Sequence, residues 1–168
     1  MGKLIAARQA QTVLETDFTF NWNNWVIDSA DGTKKTLGST VALSTDPNET
    51  ALTGPVANTI TFDCIPLPAG AVLVGGELIV ETAYAGCTAA TITLGIAGSL
   101  TTILGSTSLM ATANTRTALL LTSALQHNAA GVNVRATIAY TVANATAGKA
   151  RVRLLYTVDG RATENIGA

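Results

Sequence analysis

Phe18, Phe20 and Trp22 alternate with polar residues, the two-residue period of a strand with one buried face. Trp25 and Ile27 alternate as well, but with the opposite parity. Asn23-Asn24 accounts for the change, because Asn tolerates a left-handed backbone and suits a two-residue hairpin turn setting Trp22 opposite Trp25. A β-bulge would shift the parity equally well. Asp31-Gly32 supplies the next turn. Residues 38–58 are rich in breakers, notably Asp46-Pro47-Asn48 and Gly54-Pro55, and read as loop with one short strand near Ser39–Leu43. Thr59–Ile65 reads as a strand, ended by the stiff segment Pro66-Leu67-Pro68-Ala69-Gly70. Ala71–Tyr84 is a long strand. Gly75-Gly76 in its middle predicts a bulge or a bend, such as a strand crossing between sheets.

The last third has the clearest alternation. Val132, Val134, Ala136, Ile138, Tyr140 and Val142 form one apolar set; Ala150, Val152, Leu154 and Tyr156 form another. The two segments read as a hairpin with both sets facing one core, which places Arg135 with Arg151 and Arg153 on the opposite face. Asp159-Gly160 ends the second strand. At the other terminus LIAARQAQTVLE contains good helix formers. The expected organisation is therefore an extended or partly helical N-terminal arm over residues 1–16 and a single β-sandwich domain over 17–168.

Composition agrees with an all-β fold. The chain has 168 residues, enough for one domain that buries roughly 70% of its unfolded surface. Charged residues are 12%, about half the usual share, while 48% are hydrophobic and only 5% aromatic. The apolar content is thus mostly Ala, Val, Leu and Ile, mixed with Thr, which suits a pleated, half-buried surface. A net charge of -1 gives no global field for nucleic acid or an anionic membrane.

The charges are unevenly spread. Residues 1–113 hold nine acids and four bases, net -5, and residues 114–168 hold two acids and six bases, net +4. Pairing within one fold is the first reading of this polarity; contact between neighbouring copies is the second. Residues 82–115 carry no charge at all, as expected of a sandwich core lying partly against another chain. No run approaches the ~20 apolar residues of a membrane helix. Leu4-Ile5-Ala6-Ala7 is shorter than a secretory core of about 7–15 residues. Cys64 and Cys87 lack metal spacing and are expected to be reduced, a bridge staying open if their strands are neighbours.

Little points to catalysis. His127 is the single histidine, and nothing around Ser123, Cys64 or Cys87 resembles a nucleophile motif. Glu77 and Glu81 share a strand face about 13 Å apart, beyond the roughly 5–9.5 Å of a glycosidase pair. Asp28-Ser-Ala-Asp31-Gly-Thr resembles a calcium loop only superficially, lacking its alternating ligands and distal glutamate. No enzyme activity, cofactor or metal is expected. The aromatic set Phe18, Phe20, Trp22 and Trp25 is expected in the core or at a partner or subunit contact. Arg135, Arg151 and Arg153 are further contact candidates, but without interleaved exposed aromatics they do not make a nucleic-acid surface.

IPLPAGAVLVGGELIVETAY, the Gly/Thr-rich strands after it and TAGKARVRLLYTVDGRATE resemble small virion structural proteins of tailed bacteriophages, most of all head decoration or cement proteins. The resemblance covers about Phe62 to Glu164 and consists of composition and strand-turn pattern. It implies a jelly-roll-like antiparallel β-sandwich, made in the host bacterial cytoplasm. Such proteins sit on the outer capsid surface as homodimers or homotrimers and bridge major capsid protein subunits. The alternative is a phage tail, fibre or receptor-binding module, with carbohydrate binding as one form of it. A cupin-like enzyme is a more distant competitor, because it needs a metal or convergent polar site.

Overall fold

The computed structural model describes residues 13–38, 42–43, 59–120, 130–141 and 144–158. Among them are eleven strands and no helix: β1 (Leu14–Asn21), β2 (Trp25–Ile27), β3 (Lys34–Thr36), β4 (Ala42–Leu43), β5 (Thr59–Leu67), β6 (Ala71–Ala85), β7 (Ala89–Ile96), β8 (Ser99–Ser108), β9 (Thr115–Ala118), β10 (Val132–Thr141) and β11 (Ala147–Val158). Eight of these build two four-stranded antiparallel sheets, ordered β1-β11-β6-β9 and β5-β10-β7-β8. The pairing is nested: β1 with β11, β5 with β10, β6 with β9, β7 with β8. That nesting is the wrapped double Greek key of a jelly roll, as the family resemblance implied.

Alternation decides what lies between the sheets. Phe20, Leu78, Val152 and Leu154 point inward from the first sheet, Ile60, Phe62, Ile92 and Ile138 from the second, and all are buried. Two aromatic contacts join the layers: Phe18 with Phe62 at 5.9 Å between centroids, and Tyr84 with Tyr140 at 6.3 Å. The Tyr140 hydroxyl donates to the Leu37 carbonyl, which ties the segment after β3 to the core.

Several expectations from the chain pattern need correction. β10 and β11 do present their apolar sets to one core, but from opposite sheets rather than as a hairpin. A period of two specifies a face and is silent on which sheet owns it. Pro66 lies inside β5, opposite Asn133, because β5 is an edge strand and a missing N–H is tolerated there. The turn after β1 centres on Trp22-Asn23, closed by Asn24 N–H to Asn21 O at 3.1 Å and by Asn21 N–H to Asn24 Oδ1 at 2.7 Å. β2 then pairs with β3, so Trp22 does not face Trp25 across a hairpin. β1 begins at Leu14 and takes in the last three residues assigned to the arm. Residues 1–12 lie outside the described residues, as do most of 38–58.

The long glycine-interrupted strand is β6. It stays with β11 throughout, from Ala71 opposite Val158 to Ala85 opposite Ala147, so it bends within one sheet and does not cross. A bulge near Val74 and the left-handed Gly76 (φ 150°) make the bend. A Cβ at Gly76 would sit 2.4 Å from the Arg153 carbonyl oxygen, so the site admits only glycine without a shift. The crossing between sheets falls instead at Pro68–Gly70.

The small sheet β2-β3-β4 is inserted between β1 and β5. Its turn uses Gly32 at φ 72°, as Asp31-Gly32 predicted. Lys35, only 3% exposed, places Nζ 2.6 Å from Asp28 Oδ2 and 2.7 Å from Asp31 Oδ2. The carboxylates of the calcium-like segment are thus occupied by an ammonium of the same chain. Asp28 Oδ1 accepts from the N–H groups of Ala30 and Thr61, while Ser29 N–H donates to Thr61 O. These bonds seal part of the free edge of β5. Burial pulls the Lys35 ammonium down, but its hydrogen bonds to Asp28 and Asp31 outweigh this and leave it raised.

The same contacts have an acid signature. Hydrogen bonds from Lys35 and then Thr33 hold the Asp31 carboxyl at about 2, against an ordinary 3.8. A depressed folded-state value contributes stability above 3.8 that is lost as pH falls through about 2. Thermal unfolding should therefore show Asp31→Asn losing less stability than the native chain over that interval. Equal losses would mean that the Lys35–Asp31 pair does not form in solution.

Candidate interaction surface

Three surfaces carry the residues singled out by sequence. The first is the sandwich edge beneath β2. Trp25 and Ile27, on one face of this three-residue strand, are 58% and 52% exposed. They border a groove of about 600 Å³ that runs in to Phe18 and Phe62. Lys34 Nζ lies 4.0 Å from the centre of the Trp25 ring, a cation–π contact that occupies one ring face. Large apolar side chains left open beside a groove are the kind of surface a protein partner covers.

The aromatic set therefore divides. Phe20 is buried, and Phe18 and Trp22 are half-buried against the core. β1 turns Phe20 inward opposite Ala150, which places it in the core, the first of the two locations expected for the set. Phe18 reaches the surface only through the groove, and Trp25 alone is open.

The second surface is the outer face of the β1-β11-β6-β9 sheet. Here Arg153 pairs with Glu15 at 2.7 Å and with Glu77 at 3.7 Å, and Arg116 meets Glu77 at 2.6 Å. Lys149 reaches Glu81 at 2.7 Å, and Arg151 Nε stands 3.3 Å from the same carboxylate. The hydrogen bond from Lys149 holds the Glu81 carboxyl below the usual range. Glu77 and Glu81 are accordingly ion-pair partners. Among the described residues, every ion pair except the two made by Lys35 joins an acid from the first part of the chain to a base from the last part, so the charge polarity is largely satisfied within the chain. Ile79, on this outer face between Arg151 and Arg116, is buried under their stems.

The third surface is the outer face of the other sheet. Thr61 and Thr137 share a hydrogen bond at 2.9 Å, and Thr91 and Thr93 continue the row on β7. Arg135 stands among them, bound to Asp63 at 2.6 Å. It is thus across the sandwich from Arg151 and Arg153, and the three arginines do not form one patch. The expectation failed because sheet membership is absent from the alternation.

Other candidates fit quiet roles. Cys64 and Cys87 are both free. Burial pushes the Cys64 thiol up to about 12, and its Sγ donates to Val134 O. His127 lies outside the described residues. Among the described residues no group of three or more His, Cys, Asp or Glu is placed to hold a metal ion, and no helix is long and apolar enough to cross a membrane. Sequence reasoning missed Lys35; its only signal was a lysine alternating with neighbours in a charged turn.

The fold is that of a jelly-roll protein with an inserted three-stranded sheet. It is similar to a chain of the solved Cyanophage Pam1 capsid asymmetric unit, with 17% identity, 94% of each chain covered and a TM-score of 0.58. At that identity the likeness is one of fold. No family model matches the chain, and no curated protein matches it.

Proposed function

We propose that this chain is a virion structural protein of a tailed phage and, within that class, a head decoration protein. It would bind the outer capsid surface and bridge major capsid subunits. The observation that carries the reading is the end-to-end likeness to a chain of a phage capsid asymmetric unit, 94% of both chains. Phage-like strand and turn patterns in the sequence support it independently. A ligand that binds only the assembled lattice stabilises that lattice by mass action, and many copies per shell multiply a modest contact.

The Trp25–Ile27 edge is the proposed capsid contact. Sugar stacking is less well served there, because Lys34 already covers one face of Trp25. Co-sedimentation with heads of the parent phage purified without this protein tests the proposal. The native chain should bind, and Trp25→Ala with Ile27→Ala should bind at least tenfold more weakly at an unchanged melting temperature. Native-strength binding by the double variant rejects the edge as the contact. A native chain that does not bind heads rejects the decoration role.

A further inference from the structure

The charged outer face has an order that is its own complement. Across the strands it runs acidic on β1 (Glu15, Asp17), basic on β11 (Lys149, Arg151, Arg153), acidic on β6 (Glu77, Glu81) and basic on β9 (Arg116). Reversed, the order is basic, acidic, basic, acidic. A second copy laid face to face about a two-fold axis parallel to the strands, between β11 and β6, meets it in that reversed order. Each column then faces a column of opposite sign: β1 against β9, and β11 against β6. An in-plane axis perpendicular to the strands would set each column against itself and repel.

We propose that the chain pairs with a second copy through this face, about the axis parallel to its strands. Heights along the strands agree with the column order. Arg153 and Glu77 are register partners, so the rotation brings Arg153 of one copy to Glu77 of the other, twice per dimer. Leu155 and Gly75 are register partners one step further along, beside a hollow of about 440 Å³ next to Gly76. The apolar end of one copy therefore meets the apolar end of the other. Within the isolated chain the same charges pair with each other, which keeps the free face neutral.

The contact is small. Eight-residue stretches of β1, β11 and β6 with the four-residue β9, spaced ~4.8 Å apart at ~3.4 Å per residue, present about 460 Å² per copy. Roughly 900 Å² in total belongs to weak, reversible association. Being charged and wet, it should weaken with salt. The pairing rests on this face alone and stands or falls separately from the capsid proposal.

Sedimentation equilibrium of the full chain at low ionic strength, up to several hundred micromolar, is the test. The native chain should show a monomer–dimer equilibrium that weakens as salt is added. Arg153→Glu and Glu77→Arg should each associate with themselves at least tenfold more weakly, since each sets like charges across the axis. An equimolar mixture of the two variants should regain the dimer, because the acidic chain meets the basic one at both contacts. A merely intrachain role for the Arg153–Glu77 pair predicts no recovery on mixing. If either reversal fails to fold, Arg153→Gln should lower native association and blunt its salt dependence. A native chain monomeric throughout, variants that associate as the native chain does, or a mixture that stays monomeric overturns the proposal.

Discussion

Lys35→Met is expected to destabilise the chain by about 3–5 kcal/mol, the cost of removing one partner from a buried ion pair. The Lys35 and Asp28 side chains are 4% and 2% exposed. Without the ammonium, the buried Asp28 carboxyl group is left with only the N–H groups of Ala30 and Thr61 as partners. The loss also loosens Ser29 from the β5 edge, so the small sheet carrying Trp25 should come free of the sandwich first. Adding Asp28→Leu to the variant should recover part of the loss, because the unpaired carboxyl group goes with it. Recovery stays partial, since the N–H of Thr61 loses its acceptor. Urea unfolding measures both; a single-variant loss under about 1 kcal/mol would mean that water reaches the site.

Gly76→Ala is the second large effect, a loss of about 3–5 kcal/mol from backbone strain and overpacking together. The added methyl group meets the Arg153 carbonyl oxygen at 2.4 Å and Leu119 Cδ1 at 2.7 Å, at a φ of 150° that side chains rarely adopt. The carbonyl belongs to the central β11 strand, so relief must distort the pairing between β6 and β11. Gly105→Ala is the control: nothing lies within 4 Å of its added atom, and its stability should stay within about 0.5 kcal/mol of native. Similar losses in both variants would refute the steric account.

How much of this was legible in the chain depends on the range of the interaction. The Asp31-Gly32 turn, the irregularity at Gly75-Gly76 and the inward sets Val134–Tyr140 and Ala150–Leu154 rest on local conformation or on period two, and each appears where expected. The separation of Arg135 from Arg151 and Arg153 rests on which strands pair, which no local pattern encodes. Pro66 in a strand makes sense only once β5 is known to be an edge. Trp25 and Phe20 look alike in the alternation, yet the turn at Trp22-Asn23 sends one to the surface and leaves the other in the core. Lys35 was hidden for a different reason, since its burial depends on two carboxylates supplied by the preceding turn.

The jelly roll closes its own core and leaves three chemically distinct surfaces: an apolar edge at Trp25, a neutral charged face, and a threonine-rich face. A decoration protein needs one surface for the shell, and self-pairing needs another. The copy number of this chain in purified virions, by quantitative mass spectrometry against the major capsid protein, tests that account most directly. The account predicts a number comparable to the capsid subunit. A handful of copies per particle would contradict it in favour of a tail or fibre component, and absence from the virion would remove the structural role altogether.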